Sequence, residues 1–227
     1  MCGRFTQERP TSELAEIFEA QDLVAGPGGN FNVAPTDEAA VVVQREERRA
    51  VTAYRWGLIP HWATDARVGN RLFNARAETL ATSPMFRDAF RRKRCLVPVD
   101  SFYEWRREGA VRQPFRVVRT DALPLALAGL WAGWRNPETG EVRRTFSIVT
   151  TVPNDLMRAI HNRMPVVLAP EDWDRWLDPS PPDPGELQGL LVPAPDGSLE
   201  AYPVSRAVND VRNDGPGLIE PLDDGRP

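Results

Sequence analysis

The sequence predicts an α+β fold, a single domain built on a largely antiparallel, barrel-like sheet flanked by short helices. Three observations carry this expectation. The chain has 227 residues, enough for one substantial core. Runs rich in Val, Leu, Ile and Phe recur at 39–43, 51–56, 94–99, 114–118, 125–130, 145–151 and 164–168, bounded by turn residues. Most of these runs follow one another without a regular helix between them, which favours antiparallel pairing.

The elements follow in order. Thr11 or Ser12 caps a short helix that places Leu14, Ile17 and Phe18 on one face. A glycine-rich loop at 26–30 ends it, and Phe31–Thr36 is extended because Pro35 disfavours a helical Ala34. The strands at 39–43 and 51–56 pair across the charged turn Arg45–Arg49. Ser83-Pro84 has the cap-then-proline order that opens a helix, burying Phe86, Ala89 and Phe90. Pro153–His161 reads as a helix with Leu156 and Ile160 inward. Pro170–Leu177 reads as another, with Trp173, Trp176 and Leu177 on one face. Asp178–Gly185 is a proline-rich surface connection, and the last dozen residues are expected to fray.

Composition narrows the function classes. Hydrophobic residues are 41% and charged residues 26%, as in soluble globular proteins. No apolar run approaches the roughly 20 residues of a membrane helix, and no secretory signal opens the chain. Two cysteines, Cys2 and Cys95, imply no disulfide framework and suit the cytoplasm. Two cysteines and two histidines without close spacing argue against a metal site, and no cofactor motif is present. The net charge is −4, yet Arg87–Arg119 holds ten basic against four acidic residues. That segment either forms a basic face for an anionic partner or solvates a helix end. Lys93 is the only lysine, so arginine supplies nearly every cation.

Four clusters beside turns carry the chemistry. The first is Met1-Cys2-Gly3-Arg4-Phe5. Removing Met1 leaves a terminal cysteine whose amine (pKa about 7.7–8.0) and thiol (about 8.5) are both partly nucleophilic at neutral pH. Such a 1,2-aminothiol condenses with an aldehyde to an imine and closes to a thiazolidine. In the second, Phe73–Glu78, an extended backbone puts Asn74 and Arg76 on one face; the plainer alternative is an Arg76–Glu78 surface ion pair. In the third, aromatic neighbours flank Glu104 in Phe102-Tyr103-Glu104-Trp105. Poor solvation there raises a carboxyl pKa and suits acid–base work, unless the side chain exits to solvent. The fourth, Ile160–Pro165, sets His161 beside Arg163 where a helix gives way to a strand.

In order along the chain, MCGRF, FNVAPT, WGLIPHW, NARAET, FYEW, IHNRMP and PVSRAVND resemble the blocks of the SRAP family of abasic-site processing proteins. The resemblance spans nearly the whole chain and implies a single SRAP-like domain over 1–227. It further implies covalent capture of abasic sites in single-stranded DNA through a thiazolidine, self-processing exposure of the cysteine, and a role in the SOS response. The nucleophile falls on Cys2, and the other catalytic positions fall on Asn74, Glu104 and His161. The expected DNA-binding set is Arg4, Arg76, Asn32 and Pro35, with Trp62 either stacking on a base or sitting in the core. The partner implied is abasic single-stranded DNA. A monomer is expected, cytoplasmic or nucleoid-associated in a bacterium, with no membrane partner, no metal and no cofactor; contact with the replication machinery stays open. Two rivals remain at this stage: an N-terminal-nucleophile amidohydrolase or thiol peptidase, and a non-covalent single-strand-binding module.

Overall fold

The structure, a computed structural model, describes residues 2–180 and 184–222. Strand β1 (Arg4–Gln7) leads into helix α1 (Thr11–Ile17), β2 (Ala20–Asp22), β3 (Asn30–Val33), β4 (Glu38–Arg45) and β5 (Arg48–Trp56). The short β6 (Asn74–Arg76) and helix α2 (Arg87–Arg92) precede five strands in succession. These are β7 (Arg94–Val99), β8 (Ser101–Glu108), β9 (Val111–Arg119), β10 (Leu125–Arg135) and β11 (Val142–Thr151). Helix α3 (Asp155–Arg158), β12 (Met164–Pro165), α4 (Trp173–Leu177), α5 (Pro184–Gln188) and β13 (Leu199–Pro203) complete the order.

Strands β11, β10, β7, β4 and β5 pair in that order, and β5 returns to β11 in parallel at Arg55–Thr145 and Trp56–Phe146, closing a barrel. A second, antiparallel sheet runs β13-β9-β8-β1-β3. The expected α+β architecture is therefore what forms, with a parallel closure that local periodicity does not encode. Barrel strands alternate between two apolar clusters. On β4, Val41 and Val43 face inward beside Trp56, Cys95, Val97, Phe146 and Ile148. Ala40 and Val42 face outward under α1, α2, α4 and α5, beside Leu14, Phe90 and Trp176. Because both faces are covered, the stretches Ala39–Val43, Cys95–Val99 and Leu125–Leu130 are apolar throughout rather than alternating with polar residues. Each fully buried large side chain contributes about 1.5–3 kcal/mol.

Several local expectations shift. Pro10, not Thr11 or Ser12, is the N-cap of α1, and no side chain caps it. The Thr11 hydroxyl instead bonds Asp22 Oδ2 (2.8 Å) and accepts from Gly26 N–H (2.7 Å), closing the following loop. Helix α2 starts at Arg87, because the Ser83 carbonyl accepts from both Phe86 and Arg87 N–H and makes 83–86 a turn. Helix α3 is cut to four residues, with the Asn154 side chain capping Met157 N–H and Met157 as its buried residue. Phe102–Trp105 lies within the long strand β8 rather than beside a turn. Of the final dozen residues, Leu218 is buried and Pro221 bridges Val204, while 223–227 lie outside the described residues, as do Met1 and 181–183 of the proline-rich connection. No helix among the described residues is long and apolar enough to cross a membrane.

One glycine sets the geometry of the site. Gly57 sits at φ 116°, and a Cβ there would lie 2.5 Å from the Gly69 carbonyl oxygen, so only glycine permits this approach. The turn aims the Trp56 indole at the Phe73 carbonyl (2.8 Å), which also accepts from Ile148 N–H (3.0 Å). The residue before Asn74 is thereby fixed from two sides.

Candidate active site and nucleic-acid interface

Cys2 is fully buried in the inner cluster beside Phe5 and Phe102. Its thiol points at the Arg4 carbonyl (3.9 Å), and burial, reinforced by the charge of Glu104, pushes it above the usual thiol range. The Asn74 amide donates to the Cys2 carbonyl at 2.7 Å. Since a carbonyl only accepts, this bond fixes the amide's orientation and leaves Asn74 Oδ1 buried with no hydrogen-bond partner among the described residues. An orphaned buried acceptor costs about 1–3 kcal/mol, and such groups concentrate where a ligand completes them. Strand β6 is extended, as expected, with Ala75 inward and Asn74 and Arg76 on the other side.

Glu104 is 2% exposed, and its Oε1 lies 3.9 Å from His161 Nδ1. It does not exit to solvent. His161 follows α3, where the main chain folds back so that His161 N–H reaches the Met157 carbonyl (2.7 Å). Its Nδ1 lies 3.1 Å from the Arg163 main-chain nitrogen and 3.4 Å from the Arg163 carbonyl oxygen, so the Arg163 main chain fixes the ring beside Glu104. Glu104 and His161 line one cleft of about 550 Å³ with Trp105, Arg107, Arg112, Ile160 and Asn162. The four residues expected to be catalytic thus converge on one neighbourhood.

The expected DNA-binding residues divide. Arg76 is exposed and its guanidinium has no hydrogen bond or ion pair among the described residues, because Glu78 pairs with Arg163 instead. That pairing holds the Glu78 carboxyl below its usual range, and Arg163 also donates to the Thr150 carbonyl (2.6 Å). Arg4 is turned inward: Nη1 donates to Asn32 Oδ1 (3.0 Å) and the Val208 carbonyl (2.6 Å). Asn32 is buried, and its amide donates to the carbonyls of Asp210 (3.0 Å) and Asn213 (2.8 Å). Both side chains anchor the returning C-terminal segment, so the PVSRAVND block supplies acceptors that no local pattern announces. Pro35 is half-buried before Thr36, a β-branched residue held at φ 90° with its N–H on the Trp56 carbonyl (2.9 Å). Trp62 is 49% exposed, which removes it from the core. No cluster of three metal-ligating side chains occurs among the described residues.

A small, mixed barrel with an N-terminal cysteine held by an asparagine beside a buried Glu–His contact defines a compact class of single-domain proteins. The sequence model of the family described as SOS response associated peptidase (SRAP) matches residues 1–211, and the chain belongs to that family. Among its relatives, abasic site processing protein YoqW of Bacillus subtilis is 41% identical over 225 residues, covering 97% of this chain and 99% of the relative. Abasic site processing protein YedK of Escherichia coli is 35% identical, covering 98% and 100%. A crystal structure of a Bacteroides thetaiotaomicron protein superposes with a TM-score of 0.90 at 28% identity, covering 97% of this chain and 99% of that one.

Proposed function

We propose that this chain traps abasic sites in single-stranded DNA covalently, through the amine and thiol of Cys2. The observation that carries the reading is the Asn74 amide, bonded to the Cys2 carbonyl with its own oxygen left as a buried open acceptor among the described residues. It orients the terminal residue and offers one more site, suited to a donor on the amine or on the opened sugar.

The aldehyde form of the abasic deoxyribose meets the Cys2 amine once Met1 is gone, since an amide nitrogen is not nucleophilic. Addition gives a carbinolamine, water leaves with a proton relayed by Glu104, and an imine remains. The thiol then adds to the imine carbon and its proton passes to nitrogen, closing the thiazolidine. Burial keeps the thiol neutral, which favours the amine as first attacker. In the ring opening that precedes this, the C1′–O4′ bond breaks as the C1′ hydroxyl loses its proton and O4′ gains one, and His161 presents its Nε2 side as a hydrogen-bond donor to that oxygen. Arg76 and Trp62 extend the site toward a flanking phosphate and an unpaired base. No cofactor is required, because every group in this sequence belongs to the protein or the lesion.

The test is intact-mass analysis after incubation with an abasic single-stranded oligonucleotide. A heat-stable adduct with loss of one water supports the proposal. Binding that denaturant fully reverses, or ammonia release from glutamine instead, would replace it with one of the two rivals.

A further inference from the structure

The basic segment Arg87–Arg119 is accounted for unevenly. Arg94 is buried and donates to the carbonyls of Trp176 (2.6 Å) and Phe90 (2.7 Å), and Lys93 lies 5.3 Å from the Trp131 ring centroid. Arg106 stacks over Phe115 at 4.5 Å, Arg116 pairs with Glu8 at 2.5 Å, and Arg119 with Asp121 at 2.5 Å. Arg107 and Arg112 differ. Both are exposed, and neither guanidinium has an ion pair or hydrogen bond among the described residues, which is also true of Arg91 and Arg92 on α2, but only Arg107 and Arg112 face each other. They stand directly opposite each other across β8 and β9, near the Gly109 turn. Both line the cleft that holds Glu104 and His161.

Like charges directly opposite in an antiparallel pair repel, and nothing described here offsets them. An anion between the two guanidiniums would convert this repulsion into a two-sided grip, each arginine donating to one oxyanion. We propose that Arg107 and Arg112 together clamp one backbone phosphate of the DNA strand whose lesion reaches Glu104 and His161. This inference rests on the single-strand reading above but not on the cross-link.

The experiment measures equilibrium binding of a single-stranded oligonucleotide carrying a tetrahydrofuran abasic analogue, which lacks the aldehyde, across a range of salt. Each neutralised phosphate adds about 0.7 to the slope of log affinity against log salt for single strands. Arg107→Ala and Arg112→Ala singly should weaken binding with little change of slope, because the remaining arginine still neutralises the phosphate. The double variant should lose about 0.7. Methylphosphonate substitution, one phosphate at a time, should find one position that weakens the parent severalfold and leaves the double variant unchanged. Arg112→Glu, which turns the repelling pair into an attracting one, should raise the thermal midpoint while weakening binding. An unchanged slope in the double variant, a loss of twice that size, or the absence of any such phosphate position overturns the shared clamp. Failure of the cross-link reading appears instead as no adduct with a true abasic strand, and leaves these measurements intact.

Discussion

The two cysteines make an instructive pair. Both are fully buried in the same inner cluster, and burial raises both thiols above the usual range. Cys95 lies in β7, its carbonyl accepting from the Trp176 indole (2.9 Å) and its sulfur filling the space left by Gly129, where a Cβ would sit 2.7 Å away. Around the sulfur itself the contacts are packing. Cys2 precedes the first strand, and its neighbours include the Asn74 amide on its carbonyl and the buried carboxyl group of Glu104, which itself lines the cleft. Burial therefore does not mark a reactive cysteine. The distinction lies in which polar groups share the burial, and at Cys2 these are the Asn74 amide and the Glu104 carboxyl group.

The largest expected effect tests that contrast directly. Cys2→Ala should abolish the heat-stable adduct in the mass assay, whereas Cys95→Ala should leave its yield unchanged and lower stability by about 1 kcal/mol in denaturant titration. Comparable loss of adduct in both would mean that the two sulfurs are not functionally distinct. Next, Glu104→Gln should slow adduct formation and its reversal by about 100-fold, because both directions pass through the same imine. His161→Ala should slow formation by a smaller factor. Time courses of capture and of transfer to excess trap separate the two, and parent-like rates in both variants would leave Cys2 acting unaided.

Two arginines of the expected DNA-binding set extend the contrast to the surface. Arg4→Ala removes the donor to Asn32 and Val208 and should cost about 1–3 kcal/mol of stability. Arg76→Ala should leave stability near the parent value and reduce the salt slope of single-strand binding by about 0.7. If Arg76→Ala unfolds the protein or leaves the slope unchanged, its lack of a partner is incidental. The smallest effect concerns Glu78. Its folded carboxyl lies below the usual value, so the stability gained from Arg163 is complete above about pH 4.3 and fades as pH falls through the lowered value. Glu78→Gln should flatten the acid limb of a thermal-midpoint profile there, an effect kept small by the half-exposed carboxylate.

Much of this was legible in the sequence where the governing interaction is local. Period-two geometry put Asn74 and Arg76 on one side of β6, and apolar runs located most barrel strands. Strand β8 lies outside the apolar runs, although its aromatic run followed by Glu108-Gly109 is a strand-and-turn signal. The parallel closure of β5 on β11 and the inward turn of Arg4 and Asn32 depend on partners far along the chain, which no local window contains. A charged residue reads as a ligand contact until its internal acceptor is known.

That distance has a consequence for the order of assembly. The bond from Arg4 to the Val208 carbonyl joins residues 204 positions apart. At about 5–20 residues per second of synthesis, strand β1 waits on the order of ten to forty seconds for the segment that clamps it. The N-terminal strand is thus made first and fastened to this segment last. A ribosome that stalls or terminates before Val208 releases a polypeptide with its cysteine in place and the clamp on β1 missing.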